Sequence, residues 1–427
     1  DPIGHGTHVA GIVLGDGSYR STEDNYYHDN FDGKFVGMAP GAYMIAQSLF
    51  GENETFTYRN LTKWSVDNGA QISQNSWGTW HSSVWGNYTI VSRDYDNSTR
   101  DADWTTAGNQ SLLMVFAAGN EGIFGNNTLT TTAVAKNVIS VGSTGTGKNV
   151  TAEDAVWLHS SKGWTDDGRI KPDLVAPGDD VTSTWGIDAG SSSGSLPAEA
   201  GEHSYITYGG TSMSAPVVSG SAALVMDYMI KKEGQTEPSP AAVKAILIAS
   251  ADHLDTSQWP SREQGWGRVN VSRAIVETRD MNMEFIDQTT KFDDVDQAQS
   301  YKYDVQAGQP LRVSLVWTDL PSEVYSGKML INDLDLEVES PSGQVYKGNV
   351  FGAGQSITGG TADDTNNVEM VYIESPATGE WKVTVTSSQL PPVWGGGNQD
   401  YAVSVAVSYT HLRAHETGRH ISYAVFC

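Results

Sequence analysis

The sequence predicts an α/β fold with a parallel β-sheet between helices, followed by an antiparallel β-sandwich. Two observations lead to this fold class. In residues 5–274, short apolar runs alternate with amphipathic or small-residue helical stretches, which is the pattern of buried parallel strands joined by helices. In residues 283–407, several segments alternate between apolar and polar residues, which is typical of half-buried antiparallel strands.

In the first part, each element is predicted from an apolar run and the residues that bound it. Turn-forming or polar residues flank most of the runs, and a short apolar run with such flanks favours a buried strand. The predicted strands are Met44–Ala46, Met114–Ala118 and Val138–Val141. The predicted helices are Leu61–Asn68, Ala215–Lys232 and Pro240–Ser250.

In the second part, the period of two predicts six strands, and turns such as Pro341–Gly343 separate them. An acidic stretch at residues 278–299 that is poor in Gly and Pro contains the predicted boundary. The sequence therefore predicts two domains, residues 1–277 and 278–407. The six strands are Ser300–Val305, Leu311–Trp317, Leu334–Glu339, Glu369–Ile373, Glu380–Thr386 and Tyr401–Val407.

The composition excludes several classes of protein. The chain has 427 residues, with 26 Lys and Arg against 51 Asp and Glu, so its net charge is −25. Such an acidic chain repels phosphate backbones, which argues against nucleic-acid binding. No window approaches 18 uninterrupted apolar residues, so we expect no membrane span. The only cysteine is Cys427, so no internal disulfide forms.

Three Gly-rich segments carry residues suited to nucleophilic catalysis. Ser212, in Gly209–Pro216, comes where a helix is expected to begin, so its hydroxyl lies at the positive end of that helix. His5, in Gly4–Gly11, also comes before a helical run, which lets an imidazole project from a helix start. Asn120 follows a buried apolar strand within a Gly-flanked turn, where a side-chain amide is placed to donate to an oxyanion.

In their order His, Asn, Ser, these segments resemble the motifs of the subtilisin-like serine proteases. Asn75–Gly78 resembles the substrate-binding strand of that family, and Gly168–Gly178 matches a further family segment. Within that family, the chain most resembles the alkaline, oxidation-resistant bacterial subtilases that carry a C-terminal β-sandwich. Leu330–Leu336 matches the second domain of those proteins. The resemblance covers residues 1–407 and implies a subtilisin-like three-layer fold with a jelly-roll-like sandwich.

The resemblance also implies the role of each site residue. Ser212 is then the nucleophile, His5 the general base and Asn120 the oxyanion donor of an acyl-enzyme mechanism. The remaining implied residues bind substrate: Ser76, Trp77 and Gly78 pair with an extended peptide, and Ala117, Ala118 and Gly119 form a wall of the first specificity pocket.

One departure from the family concerns the third catalytic residue. The family has an Asp at the end of its first strand, tens of residues before the His motif, and no such residue precedes His5 here. Asp1 lies only four residues before His5 and is a poor substitute. We therefore expect a chain that is truncated at its N-terminus and nearly inactive, although the corresponding full-length protease is active.

A calcium site is predicted in the second domain. Calcium takes six to eight oxygen ligands, which clustered Asp and Asn residues supply. Asp333 and Asp335 share one face of a strand, and Asp364 and Asn366 are the other candidate ligands. The alternative, which the sequence leaves open, is that these residues form a solvated run of charge.

The C-terminal stretch differs in character from the rest of the chain. Residues 408–427 carry three of the ten histidines and show neither helical nor strand periodicity. From about Val407 they resemble the translation of a sequencing-library adapter, so we expect a disordered foreign tail. The alternative is a natural tail, rich in His and Arg, that binds metal.

Together these features predict a secreted, monomeric serine endopeptidase of broad specificity that acts on protein or peptide substrates. Two alternatives stay open. One is a catalytically inactive pseudoprotease or binding module in which the sandwich performs the function. The other is a processing protease of narrow specificity.

Overall fold

The computed structural model describes residues 4–17, 35–48, 57–79, 81–147, 152–185, 204–254, 259–276, 282–392 and 398–407. Asp1 and the predicted foreign tail at residues 408–427 lie outside the described residues, so the expectations for them stay predictions.

In the described residues of the first part, a parallel sheet has six helices around it. The helices are α1 (His5–Leu14), α2 (Tyr58–Asp67), α3 (Ile90–Arg100), α4 (Thr211–Glu233), α5 (Pro240–Ser250) and α6 (Val271–Ile275). Short 3₁₀ turns occur at Ser82–Val84 and Gly122–Phe124. The sheet strands are β1 (Ile72–Asn75), β2 (Leu113–Ala117), β3 (Ile139–Thr144) and β4 (Leu174–Pro177), which pair in that order. A separate hairpin joins β5 (Val181–Trp185) to β6 (Ser204–Tyr208).

Both faces of the parallel sheet are covered, as the uninterrupted apolar run of β2 predicts. Alternate side chains of a strand point to opposite faces. Leu113 and Val115 accordingly pack with α4 and α5. Met114 and Phe116 pack with Tyr95 of α3 on the other face. The sheet therefore forms the middle layer of three, and its carboxyl edge is where the loops of the candidate site emerge.

Helix α4 is long and apolar enough, by length and composition, to cross a membrane, and it is the only such helix among the described residues. However, 67% of its most apolar window is buried inside the protein. Within the fold it packs against the parallel sheet and against α1. Its apolar composition is therefore explained by its position in the core.

The second part of the chain forms two antiparallel sheets. One has the strand order β12, β11, β10, β14, β8, and the other has the order β13, β9, β15, β7. Side chains from both sheets meet in one apolar cluster that includes Trp317, Leu336, Val383 and Val403. The jelly-roll topology stays a prediction. The strands are β7 (Asn282–Phe292), β8 (Ala298–Val305), β9 (Leu311–Val316), β10 (Asp333–Glu339), β11 (Val345–Gly352), β12 (Gln355–Thr358), β13 (Val368–Ile373), β14 (Gly379–Gln389) and β15 (Gln399–Val407).

The prediction of a strand at Met44–Ala46 was wrong. Residues 42–48, which include Met44–Ala46, form no strand, and Tyr43 and Met44 are exposed. Their backbone pairs with no neighbouring strand among the described residues, so an apolar run alone did not produce a strand. Conversely, β7 lies in the acidic stretch that the sequence assigned to the boundary. It pairs with β15 along most of its length.

A buried polar network joins the two parts. Lys136, just before β3, donates from Nζ to Asp319 Oδ2 at 2.5 Å, and neither side chain is exposed. Asn137 donates from Nδ2 to the Asp319 carbonyl at 2.8 Å. Arg100 donates to the Thr318 carbonyl. Buried polar groups need such partners, so the two parts fit together through specific hydrogen bonds as well as apolar packing.

Candidate active site

The predicted nucleophile lies at the start of α4. Gly210, the residue before the helix, has φ 151°, a conformation that favours glycine. Ser212 follows within the first turn and is half-buried. Its Oγ lies 3.4 Å from the Ser76 carbonyl oxygen, and Ser76 Oγ donates to the Ser212 carbonyl at 2.6 Å. The segment after β1 therefore lies directly beside the hydroxyl of Ser212.

The side chain of Asn120 is held by the residue before Ser212. Its Oδ1 accepts hydrogen bonds from Thr211 N and Thr211 Oγ1, both at 2.9 Å. The amide orientation follows from this network. Asn120 Nδ2 makes no hydrogen bond within the described part of the chain and so keeps both protons available. Thr211 was not identified from the sequence, although its position next to Ser212 is the signal that points to it.

His5 begins α1, and this helix lies against α4. Val9 and Ile12 of α1 pack on Met213, the residue after Ser212. Burial lowers the pKa of His5 below its ordinary value, and no carboxylate of the described residues contributes to the shift. The imidazole is therefore neutral near pH 7, as a general base must be.

The second histidine of the motif, His8, has a structural environment. It is fully buried, and its Nε2 lies 3.1 Å from the Val181 carbonyl and 3.0 Å from the Ile206 carbonyl. Burial lowers the pKa of His8 to about 4. The ring therefore links α1 to the β5–β6 hairpin as a neutral donor.

The predicted substrate-binding residues fall in two segments near Ser212. Ser76, Trp77 and Gly78 follow β1, whereas Ala117 ends β2 and Ala118 and Gly119 follow it. The Trp77 ring packs edge-on against Phe116, with ring centroids 5.7 Å apart, so this side chain belongs to the core. Only the backbone of Trp77 is left to pair with a peptide.

A threonine that was not identified from the sequence lies between the two segments. A Cβ built on Gly78 would lie 2.8 Å from the Thr130 side chain, and one on Gly119 would lie 3.0 Å from Thr130 Cγ2. The close approach of Thr130 therefore explains Gly78, whereas at Gly119 the nearer Ser161 Oγ, at 2.7 Å, and a φ of 113° also favour glycine. This contact joins residues 52 and 11 positions apart in the chain, which a local motif does not reveal.

The four predicted calcium ligands lie in one region of the second part, but they are not equivalent. Burial and the neighbouring Asp335 raise the pKa of Asp333 to about 7, and Asp333 Oδ1 has no hydrogen-bond partner. Asp364 lies 3.2 Å from Lys328 Nζ. Asn366 Oδ1 accepts from Ile170 N at 2.8 Å, so this oxygen is already engaged.

Glu369, which was not among the predicted ligands, belongs to the same acidic region. Its side chain is buried and its Oε1 has no partner. Burial and then Asp363 raise its pKa well above the ordinary value. No three His, Cys, Asp or Glu side chains in the described ranges form a group that would hold a metal ion as they stand.

Comparisons with known proteins give the family context of this geometry. The model of the subtilase family, a peptidase family, matches residues 1–267. Serine protease AprX of Bacillus subtilis is 25% identical over 282 residues, covering 64% of this chain and 58% of AprX. Human membrane-bound transcription factor site-1 protease is 30% identical over 284 residues, covering 64% of this chain and 22% of that protein.

A third relative, the serine protease/ABC transporter B family protein tagA of Dictyostelium discoideum, is 27% identical over 285 residues, covering 62% of this chain and 16% of tagA. The chain thus spans less than two thirds of each of these relatives. Among solved structures, the prenylagaramide maturation protease PagA is 23% identical with a TM-score of 0.45, covering 64% of this chain and 81% of that chain.

Proposed function

The chain belongs to the subtilase family of serine proteases, and from this premise we propose that it is an endopeptidase that cleaves peptide bonds through an acyl-enzyme on Ser212. The observation that supports this most directly is the arrangement at the start of α4. There Thr211, the residue before Ser212, holds Asn120 by two hydrogen bonds to Oδ1. Protein or peptide substrates follow from the family, whereas secretion and a monomeric state stay predictions.

In the proposed reaction, a peptide lies along residues 76–78 as an added strand. Ser212 Oγ attacks the carbonyl carbon, and His5 accepts the hydroxyl proton. The developing oxyanion accepts hydrogen bonds from Asn120 Nδ2 and the Ser212 backbone N–H. His5 then returns the proton to the leaving amine, and water releases the acyl group as a carboxylic acid.

The proposal is tested by covalent labelling of Ser212 with a fluorophosphonate probe. We expect one label per chain, located on Ser212 by peptide mass spectrometry, and no label on Ser212→Ala. The serine two positions later, Ser214, is buried in the same helix, so Ser214→Ala is the matched control and should keep the label. A chain that is folded by circular dichroism but unlabelled after long incubation would favour the binding-module alternative.

Asn120→Ala is expected to slow the labelling of Ser212 by about 10²–10³-fold, the loss found when one oxyanion donor is removed. Because the change also removes the acceptor of both Thr211 hydrogen bonds, we expect the free energy of unfolding to fall by about 1–3 kcal/mol. The measurement is the second-order rate constant of labelling. An unchanged rate constant would show that Asn120 does not stabilise the oxyanion.

We also propose that the acidic region around Asp333 binds one calcium ion. The two unpartnered buried oxygens, Asp333 Oδ1 and Glu369 Oε1, are the supporting observation, since buried acceptors are normally paired. The raised pKa values of both carboxyls reflect burial and mutual repulsion, which a divalent cation relieves. Asp335 and Asp364 would complete the acidic ligands, with backbone carbonyls and water supplying the rest of the six to eight oxygens.

Calcium is expected to stabilise the protein by about 2.7 kcal/mol when its concentration is a hundred times the dissociation constant. The measurement is the thermal unfolding midpoint in calcium and in excess chelator. Asp333→Asn should remove most of the difference, because it removes one of the charges that attract the ion. Asp304→Asn, at an exposed position on β8, is the matched control and should respond to calcium as the parent chain does.

A further inference from the structure

A cavity lies where the two parts of the chain meet, away from Ser212. Its volume is about 380 Å³. Asp252, His253 and Arg268 contribute to its wall from the first part, and Arg312 and Tyr372 from the second. Arg312 and Tyr372 are opposite each other in the β9–β13 pairing, so both side chains lie on the face of the sheet that meets the first part.

Arg312 is a buried cation without a carboxylate partner. It is 6% exposed, it donates from Nη1 to the Ala251 carbonyl, and it also has a side-chain hydrogen bond with Tyr372. Its guanidinium carbon lies 5.1 Å from the centroid of the Tyr372 ring. Its Nε has no partner, and no Asp or Glu of the described ranges lies within ion-pair distance of it. Buried charges are normally paired, so Arg312 lacks the anionic partner that a buried cation usually has.

The nearby carboxylates are already engaged with other arginines. Asp154 Oδ1 lies 2.7 Å from Arg268 Nη1, and Asp252 Oδ1 lies 2.7 Å from Arg273 Nη1. Arg268 Nη2 lies 3.7 Å from Asp252 Oδ2. Both carboxylates therefore have arginine partners of their own, and Asp252 acts on Arg312 only from beyond ion-pair distance.

His253 completes this environment as a neutral donor. Its ring stacks on Trp259 at a centroid distance of 3.9 Å and meets Tyr372 edge-on at 4.5 Å. Both of its ring nitrogens are buried and have no partner. Burial, together with the charges of Arg312 and Arg273, lowers its pKa to about 2. The wall of the cavity thus holds unpaired nitrogen groups, Arg312 Nε and the ring nitrogens of His253.

We propose that this cavity binds a small oxyanion, a phosphate or a carboxylate, which accepts hydrogen bonds from Arg312 and the ring N–H of His253. The guanidinium group presents its donors in a planar fork that matches both kinds of oxyanion. Because Arg312 belongs to the second part and His253 to the first, the bound anion connects the two parts. Anion binding at this cavity does not require the proposed protease activity of Ser212.

The test is a titration of the whole chain with inorganic phosphate and, separately, with acetate, at constant ionic strength set with sodium chloride. Thermal unfolding and calorimetric titration follow the binding. We expect a saturable rise of the unfolding midpoint with at least one of the two anions. The anion that acts at the lower concentration is the preferred ligand of the cavity. Anions that affect the chain only as chloride does, without saturation, would overturn the proposal.

Variants locate the site. Arg312→Gln is expected to weaken binding by about 10- to 100-fold, the loss expected when a charged hydrogen-bond partner is removed. Arg312→Lys keeps the charge without the planar fork and should bind with intermediate affinity. Arg100→Gln is the matched control, because Arg100 also bridges the two parts, through the Thr318 carbonyl, but does not line the cavity. It should bind as the parent does.

His253→Phe gives a second readout that keeps Arg312 in place. The aromatic ring retains the stacking on Trp259 but has no N–H donor, so anion binding should weaken while the fold persists. Equal affinity of the parent, Arg312→Gln and His253→Phe, measured by calorimetry on folded protein, would overturn the assignment to this cavity.

Discussion

The 427-residue chain is expected to hydrolyse peptide bonds about 10⁴-fold more slowly than a subtilase whose catalytic histidine has a carboxylate partner. The carboxylate of a triad fixes the tautomer of the imidazole and stabilises the imidazolium that forms when the serine loses its proton. The pKa of His5 is lowered by burial, with no contribution from a described carboxylate. The measurement is kcat on a fluorogenic peptide, with Ser212→Ala as the background.

The pH dependence of Ser212 labelling distinguishes a His5 that has no carboxylate partner from a His5 that has one. His5 must be neutral to act as a base, so labelling is lost as pH falls through its pKa. A pKa lowered by burial places this loss below pH 6.5, the ordinary value for histidine. A carboxylate partner would stabilise the charged imidazole and move the loss to higher pH. A loss of labelling above pH 6.5, together with rapid hydrolysis, would contradict the prediction.

The elements that the sequence predicted well have strong local signals. Helix α5 has the predicted bounds, Pro240–Ser250, because Ser239 Oγ caps it by accepting a hydrogen bond from Ala242 N and Pro240 fits its first turn. Strand β2 follows from its apolar run. The predicted strand at residues 44–46 was wrong, because a strand also needs a neighbour to pair with, which a local pattern does not report.

The residues of the candidate site also fall into two groups: those that a local motif predicts and those whose contacts form only on folding. Ser212, His5 and Asn120 could be predicted from the sequence because each lies in a short Gly-rich motif. Thr130 was missed because its contact with Gly78 and Gly119 is made only after folding. The same limit applies to Arg312, which an alternating strand pattern does not distinguish from a solvated charge. Its burial follows from the packing of the two parts against each other, which no sequence window contains.

Asp319→Asn is expected to reduce the free energy of unfolding by about 3–5 kcal/mol, because it leaves the buried Lys136 ammonium without its counter-charge. Lys136 and Asp319 are both 0% exposed. Asp319 also accepts from the backbone N–H groups of Leu320 and Asn332 at 2.8 Å through Oδ1, and from Ile331 N at 2.9 Å through Oδ2. One carboxylate therefore holds Lys136 of the first part and organises the loop before β10.

The measurement is urea unfolding of the variant beside Glu380→Gln. The pair Lys302–Glu380 has a similar distance, 2.7 Å, but its side chains are 63% and 56% exposed, so this control should lose far less stability, because solvent screens an exposed ion pair. A double variant, Lys136→Met with Asp319→Asn, removes the unpaired charge and should recover part of the loss. Equal losses for Asp319→Asn and Glu380→Gln would show that burial of the ion pair does not determine how tightly the two parts are joined. Recovery in the double variant would instead assign the loss to the uncompensated lysine.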